Sequence, residues 1–146
     1  MKRAHRPILV VGLVFAFVMG AVAMSRWLRP KEIVPWRTSF ATAQAEAKAS
    51  GKPMLVYFTA DWCAPCHTLK TTTWADPKVE EALRAYVPTR VDVMVDTPTA
   101  LKYGAEFLPK YVVLDGEGNI VRSMDGYLDP EAFLAWLAGA PRERGG

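Results

Sequence analysis

The feature that most constrains this chain of 146 residues is an uncharged apolar run of seventeen, from Ile8 to Met24. As a helix rising about 1.5 Å per residue, the run would span about 25 Å, a little short of the ~30 Å hydrocarbon core of a bilayer. Trp27 follows the run, and tryptophan is favoured at the membrane interface. We therefore expect an uncleaved membrane anchor. A cleaved signal peptide is the alternative, because Ala21-Val22-Ala23 offers a small-x-small cleavage site.

The formal net charge of +3 is distributed unevenly along the chain. Residues 1–31 carry +6 and contain no acid, whereas residues 32–146 carry −3. Cations on both sides of the apolar run argue against a buried core helix. The acidic remainder lacks the excess of cations that neutralises phosphates, so we expect no nucleic-acid partner. We divide the chain into a basic N-terminal segment with its linker (1–31), one domain (32–140) and a polar tail (141–146).

Apolar runs and helix-capping residues alternate along the domain. We predict five helices, over 39–50, 64–72, 78–86, 98–103 and a last one after Asp129-Pro130. We predict four strands, over 53–59, over the alternating valines 91–95, and in a hairpin of 111–114 with 120–124. This order predicts an α/β fold with a sheet of parallel and antiparallel strands and helices on both faces.

Both cysteines fall in one motif, Trp62-Cys63-Ala64-Pro65-Cys66-His67, between the end of a predicted buried strand and the start of a helix. Cys63 would lie at or next to the helix N-cap, where free N–H groups and the macrodipole stabilise a thiolate. Cys66 would lie one turn further on the same face, within reach of a disulfide. The motif predicts redox chemistry in which Cys63 attacks a partner disulfide and Cys66 resolves the mixed disulfide.

Three other uses of this motif are weaker. A structural zinc site needs about four ligands, and only Cys63, Cys66 and His67 are local. A pair of inert buried thiols does not call for a strand, the motif and a helix in succession. Covalent haem attachment through Cys-x-x-Cys-His is the serious rival, but it does not call for a buried strand running into the motif. We therefore expect no metal and no cofactor beyond a redox-active Cys63–Cys66 disulfide.

The segment Phe58-Thr59-Ala60-Asp61-Trp62-Cys63-Ala64-Pro65-Cys66 resembles the active-site segment of the thioredoxin superfamily. Three further segments extend the resemblance to the C-terminal thioredoxin-like domain of the thiol:disulfide interchange protein DsbD: Thr73-Trp74-Ala75-Asp76-Pro77-Lys78-Val79, Phe107-Leu108-Pro109 and Asp115-Gly116-Glu117-Gly118. The resemblance covers roughly residues 36–140 and implies a thioredoxin-like fold.

The resemblance also implies roles for residues outside the dithiol. Pro109 would be a cis-proline that packs beside the dithiol and, with Leu108, helps to bind the backbone of the partner. Trp62 would shield the dithiol.

One position departs from the family pattern. Much of the superfamily has a buried acid six residues before the first cysteine, where this chain has Tyr57. A phenol is a poor base at neutral pH, so we expect Tyr57 to be a core aromatic and Asp61 to be a candidate for acid assistance. His67, when protonated, would favour a nearby thiolate and modulate its pKa.

These features predict a membrane-anchored, extracytoplasmic thiol:disulfide oxidoreductase of a bacterial envelope. The resemblance favours reduction of partner protein disulfides, with electrons from a membrane thiol carrier and with apocytochromes or other envelope thiol proteins as clients. A disulfide oxidase or isomerase is an alternative, because Ala64-Pro65 and His67 do not determine the potential. A non-catalytic binding module is another. If the anchor is cleaved, the protein would instead be secreted to the periplasm.

Overall fold

The computed structural model describes residues 5–139, which form two compact units that part between Pro30 and Lys31. In the first unit, helix α1 (His5–Trp27) contains the predicted apolar run. Within the described residues, Leu9–Trp27 is the one helix long and apolar enough to cross a membrane, with a mean hydropathy of 2.1. A signal sequence would meet the same criterion. The predicted polar tail, 141–146, lies outside the described residues.

The described part of the second unit, residues 31–139, contains four strands and five further α-helices. The strands are β1 (Met54–Thr59), β2 (Val87–Asp92), β3 (Lys110–Leu114) and β4 (Ile120–Asp125). The helices are α2 (Phe40–Ser50), α3 (Ala64–Thr71), α4 (Pro77–Leu83), α5 (Thr97–Lys102) and α6 (Pro130–Ala138). A short 3₁₀ turn, Thr73–Ala75, joins α3 to α4.

Local capping chemistry explains where several helices begin. Asp76, Asp96 and Asp129 are N-caps whose carboxylates accept backbone N–H groups of the first turn, which otherwise lack partners. Each of these helices has proline in its first turn, where the missing N–H costs nothing. At the other end of α2, Gly51 takes the left-handed conformation, with φ of 68°, as predicted for a glycine stop.

The strands form one mixed sheet in the order β2-β1-β3-β4. Strand β1 runs parallel to β2 and antiparallel to β3, and β4 pairs antiparallel with β3. All six residues of β1 are buried, because alternate side chains enter different cores. Leu55 and Tyr57 face a core shared with α3, α4 and α6, whereas Val56 and Phe58 face a core shared with α2 and α5. The predicted mixed sheet with helices on both faces is confirmed.

The predicted strand over 91–95 is wrong in its position. Strand β2 ends at Asp92, and the side chain of Val95 is 84% exposed. Pairing with β1 stops where β1 ends, with Thr59 opposite Asp92, and the Asp92 carboxylate then accepts the N–H of Met94 at 2.8 Å. The alternation of valines therefore continued past the last strand pair. Helix α4 also ends three residues earlier than predicted, at Leu83.

The segment 32–37, which we call the N-terminal strap, lies along the outer edge of β2. The Arg37 N–H donates to the carbonyl of Pro88 at 2.9 Å, and the Arg90 N–H donates to the carbonyl of Arg37 at 2.8 Å. These bonds occupy the edge of a strand that would otherwise present unpaired backbone groups. The strap thereby brings residues from the start of the domain to the strand that ends beside the cysteine motif.

Candidate active site

The two cysteines form a disulfide at the N-terminus of α3. Their Sγ atoms lie 2.10 Å apart and their Cα atoms 5.3 Å apart. Cys63 is the N-cap of the helix, and its Sγ accepts the backbone N–H of Cys66 at 3.3 Å. The chain leaves β1 at Thr59 and turns through a bond from the Cys63 N–H to the carbonyl of Ala60. The structure thus places the pair where the sequence predicted it, at the junction of a buried strand and a helix.

Both cysteines are largely covered. Cys63 is 3% exposed and Cys66 is 1% exposed, whereas the neighbouring Trp62 is 67% exposed. Cys66 lies one turn into the helix, so its thiol belongs to the core that also contains Tyr57 and Leu69. A reacting partner therefore contacts the exposed indole of Trp62 beside a disulfide that is nearly buried.

The Leu108–Pro109 peptide bond is cis, as the family resemblance implied. Pro109 is buried, and its carbonyl accepts the N–H of Gly126 at 2.7 Å. Leu108 is half-buried and packs against the core cluster that contains both cysteines. The segment before β3 therefore borders the same core as the dithiol, whereas binding of a partner backbone there stays a prediction.

His67 and Asp61 contact each other through a backbone atom. The Nε2 atom of His67 lies 2.6 Å from the carbonyl oxygen of Asp61. A carbonyl oxygen only accepts, so Nε2 is the donor in this contact. The Asp61 side chain itself is exposed. Both residues line the cavity that also reaches Cys66, and their roles as pKa modulator and acid stay predictions.

Tyr57 is a core aromatic, as expected. Its ring centroid lies 5.4 Å from that of Trp36, 5.0 Å from Trp74 and 6.0 Å from Tyr111. The hydroxyl donates to Oγ1 of Thr59 at 3.2 Å. Burial raises the pKa of Tyr57 above its usual value, because charge is disfavoured away from water. The phenol is therefore no substitute for a carboxylate as a proton acceptor at neutral pH.

A cavity of about 430 Å³ opens beside Cys66 and is lined by charged side chains that the sequence did not single out. Glu32 of the strap and Arg90 of β2 both line it and form an ion pair, with Oε2 to Nη1 at 2.9 Å. The indole N–H of Trp36 donates to Oε1 of Glu32 at 2.6 Å. Glu32 and Arg90 are 58 residues apart, so no local pattern could have paired them.

Metal binding and haem attachment are the alternative uses of the same residues. Among residues 5–139, no group of three or more His, Cys, Asp or Glu side chains is arranged to hold a metal ion. Thioether attachment of haem would use the same two sulfurs that form the disulfide here, and it stays an alternative prediction. The expectation that the site uses no cofactor beyond the disulfide stays a prediction.

Comparisons with known proteins agree with this geometry. Residues 40–140 match the family described as Thioredoxin-like domain. The chain is 33% identical over 100 residues to the Thiol:disulfide interchange protein DsbD of Klebsiella pneumoniae, an alignment that covers 64% of this chain and 17% of that protein. It therefore spans about a sixth of the length of this relative.

Two solved structures have a similar fold. A thioredoxin from Thermus thermophilus superposes with a TM-score of 0.65 at 28% identity, covering 72% of this chain and 85% of that one. The oxidised C-terminal domain of DsbD from Neisseria meningitidis superposes with a TM-score of 0.61 at 23% identity, covering 73% and 99%. The chain therefore belongs to the thioredoxin-like family, and its Cys-x-x-Cys pair is Cys63 and Cys66.

Proposed function

We propose that this protein reduces disulfides of partner proteins outside the cytoplasm. The observation that carries the proposal is the Cys63–Cys66 disulfide at the N-terminus of α3. The similarity to DsbD, whose name describes thiol:disulfide interchange, favours exchange with protein thiols over other uses of the fold.

The assignment of roles rests on the hydrogen bond between the two cysteines. In the disulfide, the Cys66 N–H donates to Sγ of Cys63; after reduction the same donor would favour the Cys63 thiolate, because a hydrogen bond to the charged form of a group favours that form. The N-terminal end of a helix also stabilises a thiolate at its cap. Cys63 is therefore the attacking thiolate, and Cys66 is the resolving thiol.

The exchange balances as two successive displacements. The Cys63 thiolate attacks one sulfur of the partner disulfide, which breaks that bond and releases the other partner sulfur as a thiolate. Cys66 then gives up its proton and attacks Sγ of Cys63, which releases the second partner sulfur. The partner gains two electrons and two protons, and the protein is left with the disulfide seen here. A membrane thiol carrier would return the two electrons.

We place the domain on the periplasmic side of a bacterial inner membrane, held there by α1. The length and hydropathy of Leu9–Trp27 support an anchor. Partner proteins with disulfides occur in oxidising compartments such as the periplasm, where disulfides form and persist. Cleavage after the run would instead release the domain into the periplasm. Apocytochromes awaiting haem and other envelope thiol proteins are the clients we propose.

A disulfide oxidase or isomerase is the second candidate, and His67 is the observation that favours it. The imidazole lines the cavity that Cys66 also borders, and its protonated form would stabilise a thiolate there. Stabilising the reduced form raises the reduction potential.

Equilibration with glutathione redox buffers separates the two directions. We expect a potential closer to the about −270 mV of thioredoxin than to the about −120 mV of DsbA, together with reduction of insulin disulfides. A potential near the DsbA value and no insulin reduction would reject the reductase. Cys66→Ser should accumulate mixed disulfides with partner proteins in cells, whereas the matched Cys63→Ser variant should trap none.

A further inference from the structure

The core beneath the dithiol lacks the family acid, yet charge is present beside it. Tyr57 stands at the acid's position, and its hydroxyl is engaged with Thr59. The cavity next to Cys66 is instead walled by a carboxylate from another part of the chain, that of Glu32.

Glu32 is held in the cavity wall from two sides. Arg90 Nη1 donates to both of its oxygens, at 3.1 and 2.9 Å, and Trp36 Nε1 donates to Oε1 at 2.6 Å. The side chains of Glu32 and Arg90 are only 22% and 28% exposed. Neighbouring backbone bonds hold the strap, from the Ile33 N–H to the carbonyl of Trp74 and from the Arg37 N–H to the carbonyl of Pro88. The pair is thus positioned by the fold and not by chance contact at the surface.

Other charged groups also face this cavity. They are Asp61, His67 and Lys70 around α3, Asp92 at the end of β2, and Asp96 at the start of α5. The Asp92 carboxylate accepts the N–H of Met94, and the Asp96 carboxylate accepts the N–H of Thr99. These two carboxylates have turn and cap bonds of their own, whereas Glu32 is bonded to a cation within the same wall.

We propose that the Glu32–Arg90 pair is the electrostatic control of Cys66, with both residues acting as positioning residues that set the ionisation of the resolving thiol. The inference deepens the proposed function and rests on it for the resolving role of Cys66. Neither side chain takes part in a bond that forms or breaks. The two opposite charges largely offset each other at the Cys66 thiol. Removing either charge would leave the other uncompensated and would shift the ionisation of that thiol.

Removing Glu32 and removing Arg90 should shift the ionisation of Cys66 in opposite directions. Without the Glu32 charge, the Arg90 cation is uncompensated and favours the Cys66 thiolate; without Arg90, the Glu32 anion disfavours it. Tyr57 supplies a parallel within the same core: after burial, which dominates, the Glu32 charge raises the pKa of its phenol and the Arg90 charge lowers it. The fields of both partners therefore reach the core in which Cys66 lies.

The test follows ionisation of Cys66 in the Cys63→Ser background, where it is the single thiol. Thiolate ultraviolet absorbance is recorded against pH, and the Cys63→Ser/Cys66→Ser protein serves as the blank. Adding Glu32→Gln should move the midpoint down by about half a pH unit or more, and adding Arg90→Gln should move it up by a similar amount. Adding both should return it close to the starting value, and Arg90→Lys, which keeps the charge, should also leave it there.

Glu46→Gln is the matched control, because it breaks the other ion pair of the strap, Arg37–Glu46 at 2.6 Å. Neither of those residues lines the cavity beside Cys66, so the midpoint should not move. Shifts of Glu32→Gln and Arg90→Gln in the same direction, or equal shifts in Glu46→Gln, would overturn the proposal. If Glu32→Gln does not fold, Arg90→Gln compared with Arg90→Lys decides the sign. The titration involves no partner protein, so it can fail while insulin is reduced, and succeed while it is not.

Discussion

Replacing Tyr57 with phenylalanine removes one hydroxyl from the core that contains both cysteines and leaves the ring in place. The hydroxyl donates to Thr59 Oγ1 at 3.2 Å, which is long for a bond between two hydroxyls. A hydrogen bond of this kind contributes about 0.5–1.5 kcal/mol net. We therefore expect Tyr57→Phe to lower the free energy of unfolding by about 0.5–1 kcal/mol.

The ring contacts explain why the loss should be so small. Trp36, Trp74 and Tyr111 lie with their centroids 5.0 to 6.0 Å from the Tyr57 ring, and phenylalanine retains all three contacts. Aromatic pairs contribute about 0.5–1.5 kcal/mol each beyond their buried area. Tyr57→Ala, as the contrasting variant, loses these contacts and leaves a cavity, at a cost of about 3–5 kcal/mol or more.

Urea unfolding followed by tryptophan fluorescence measures the stability, and insulin reduction at several pH values measures the activity. Because the phenol is buried and its pKa is raised by that burial, it stays protonated through the neutral range and transfers no proton. Tyr57→Phe should therefore retain parental activity within about twofold, with the same pH profile. A loss of tenfold or more (about 1.4 kcal/mol in the barrier), or a changed pH profile, would refute the view that Tyr57 only packs.

Three other perturbations test packing, burial and partner contact. Burial raises the pKa of Tyr57 and Tyr111 above 10.0, so the stabilisation is complete below about pH 10 and declines above it as the unfolded chain loses phenolic protons first. Alkaline unfolding should show this decline, less steeply in Tyr57→Phe. Phe133→Ala should cost about 3–5 kcal/mol in urea, because its ring is buried against Trp74 at 5.1 Å. Trp62→Ala should change stability by less than about 0.5 kcal/mol, yet slow insulin reduction.

For each of these three predictions, a specific result would contradict it. Alkaline unfolding curves that coincide for the parent and Tyr57→Phe would show that this phenol does not contribute to the decline. A cost below about 1.5 kcal/mol for Phe133→Ala would mean that the aromatic core collapses around the gap. Leu101→Ala is the control for Trp62→Ala, because its side chain is similarly exposed but α5 carries no part of the dithiol. Equal slowing by the two variants would remove the partner-contact role of Trp62.

Local rules predicted the elements whose ends are chemically marked. Asp76-Pro77 and Asp129-Pro130 begin α4 and α6, because an aspartate cap and a first-turn proline are favourable in any surrounding structure. Strand β2 was displaced in the prediction because the valines at 91–95 alternate beyond the point where β1 can pair with them. The ends of a strand depend on where a neighbouring strand can pair with it, and the sequence of the segment alone does not contain that information.

In the candidate site, too, local sequence determined one part and the tertiary fold determined another. The motif from Trp62 to His67 determined the helix cap and the disulfide, because a Cys-x-x-Cys spacing at a helix start brings the two sulfurs within bonding distance through local geometry alone. The charged wall beside Cys66 required the tertiary fold. Glu32 reaches Arg90 across 58 residues only because the strap lies along the edge of β2, and pairing between distant segments depends on the packed sheet rather than on either sequence.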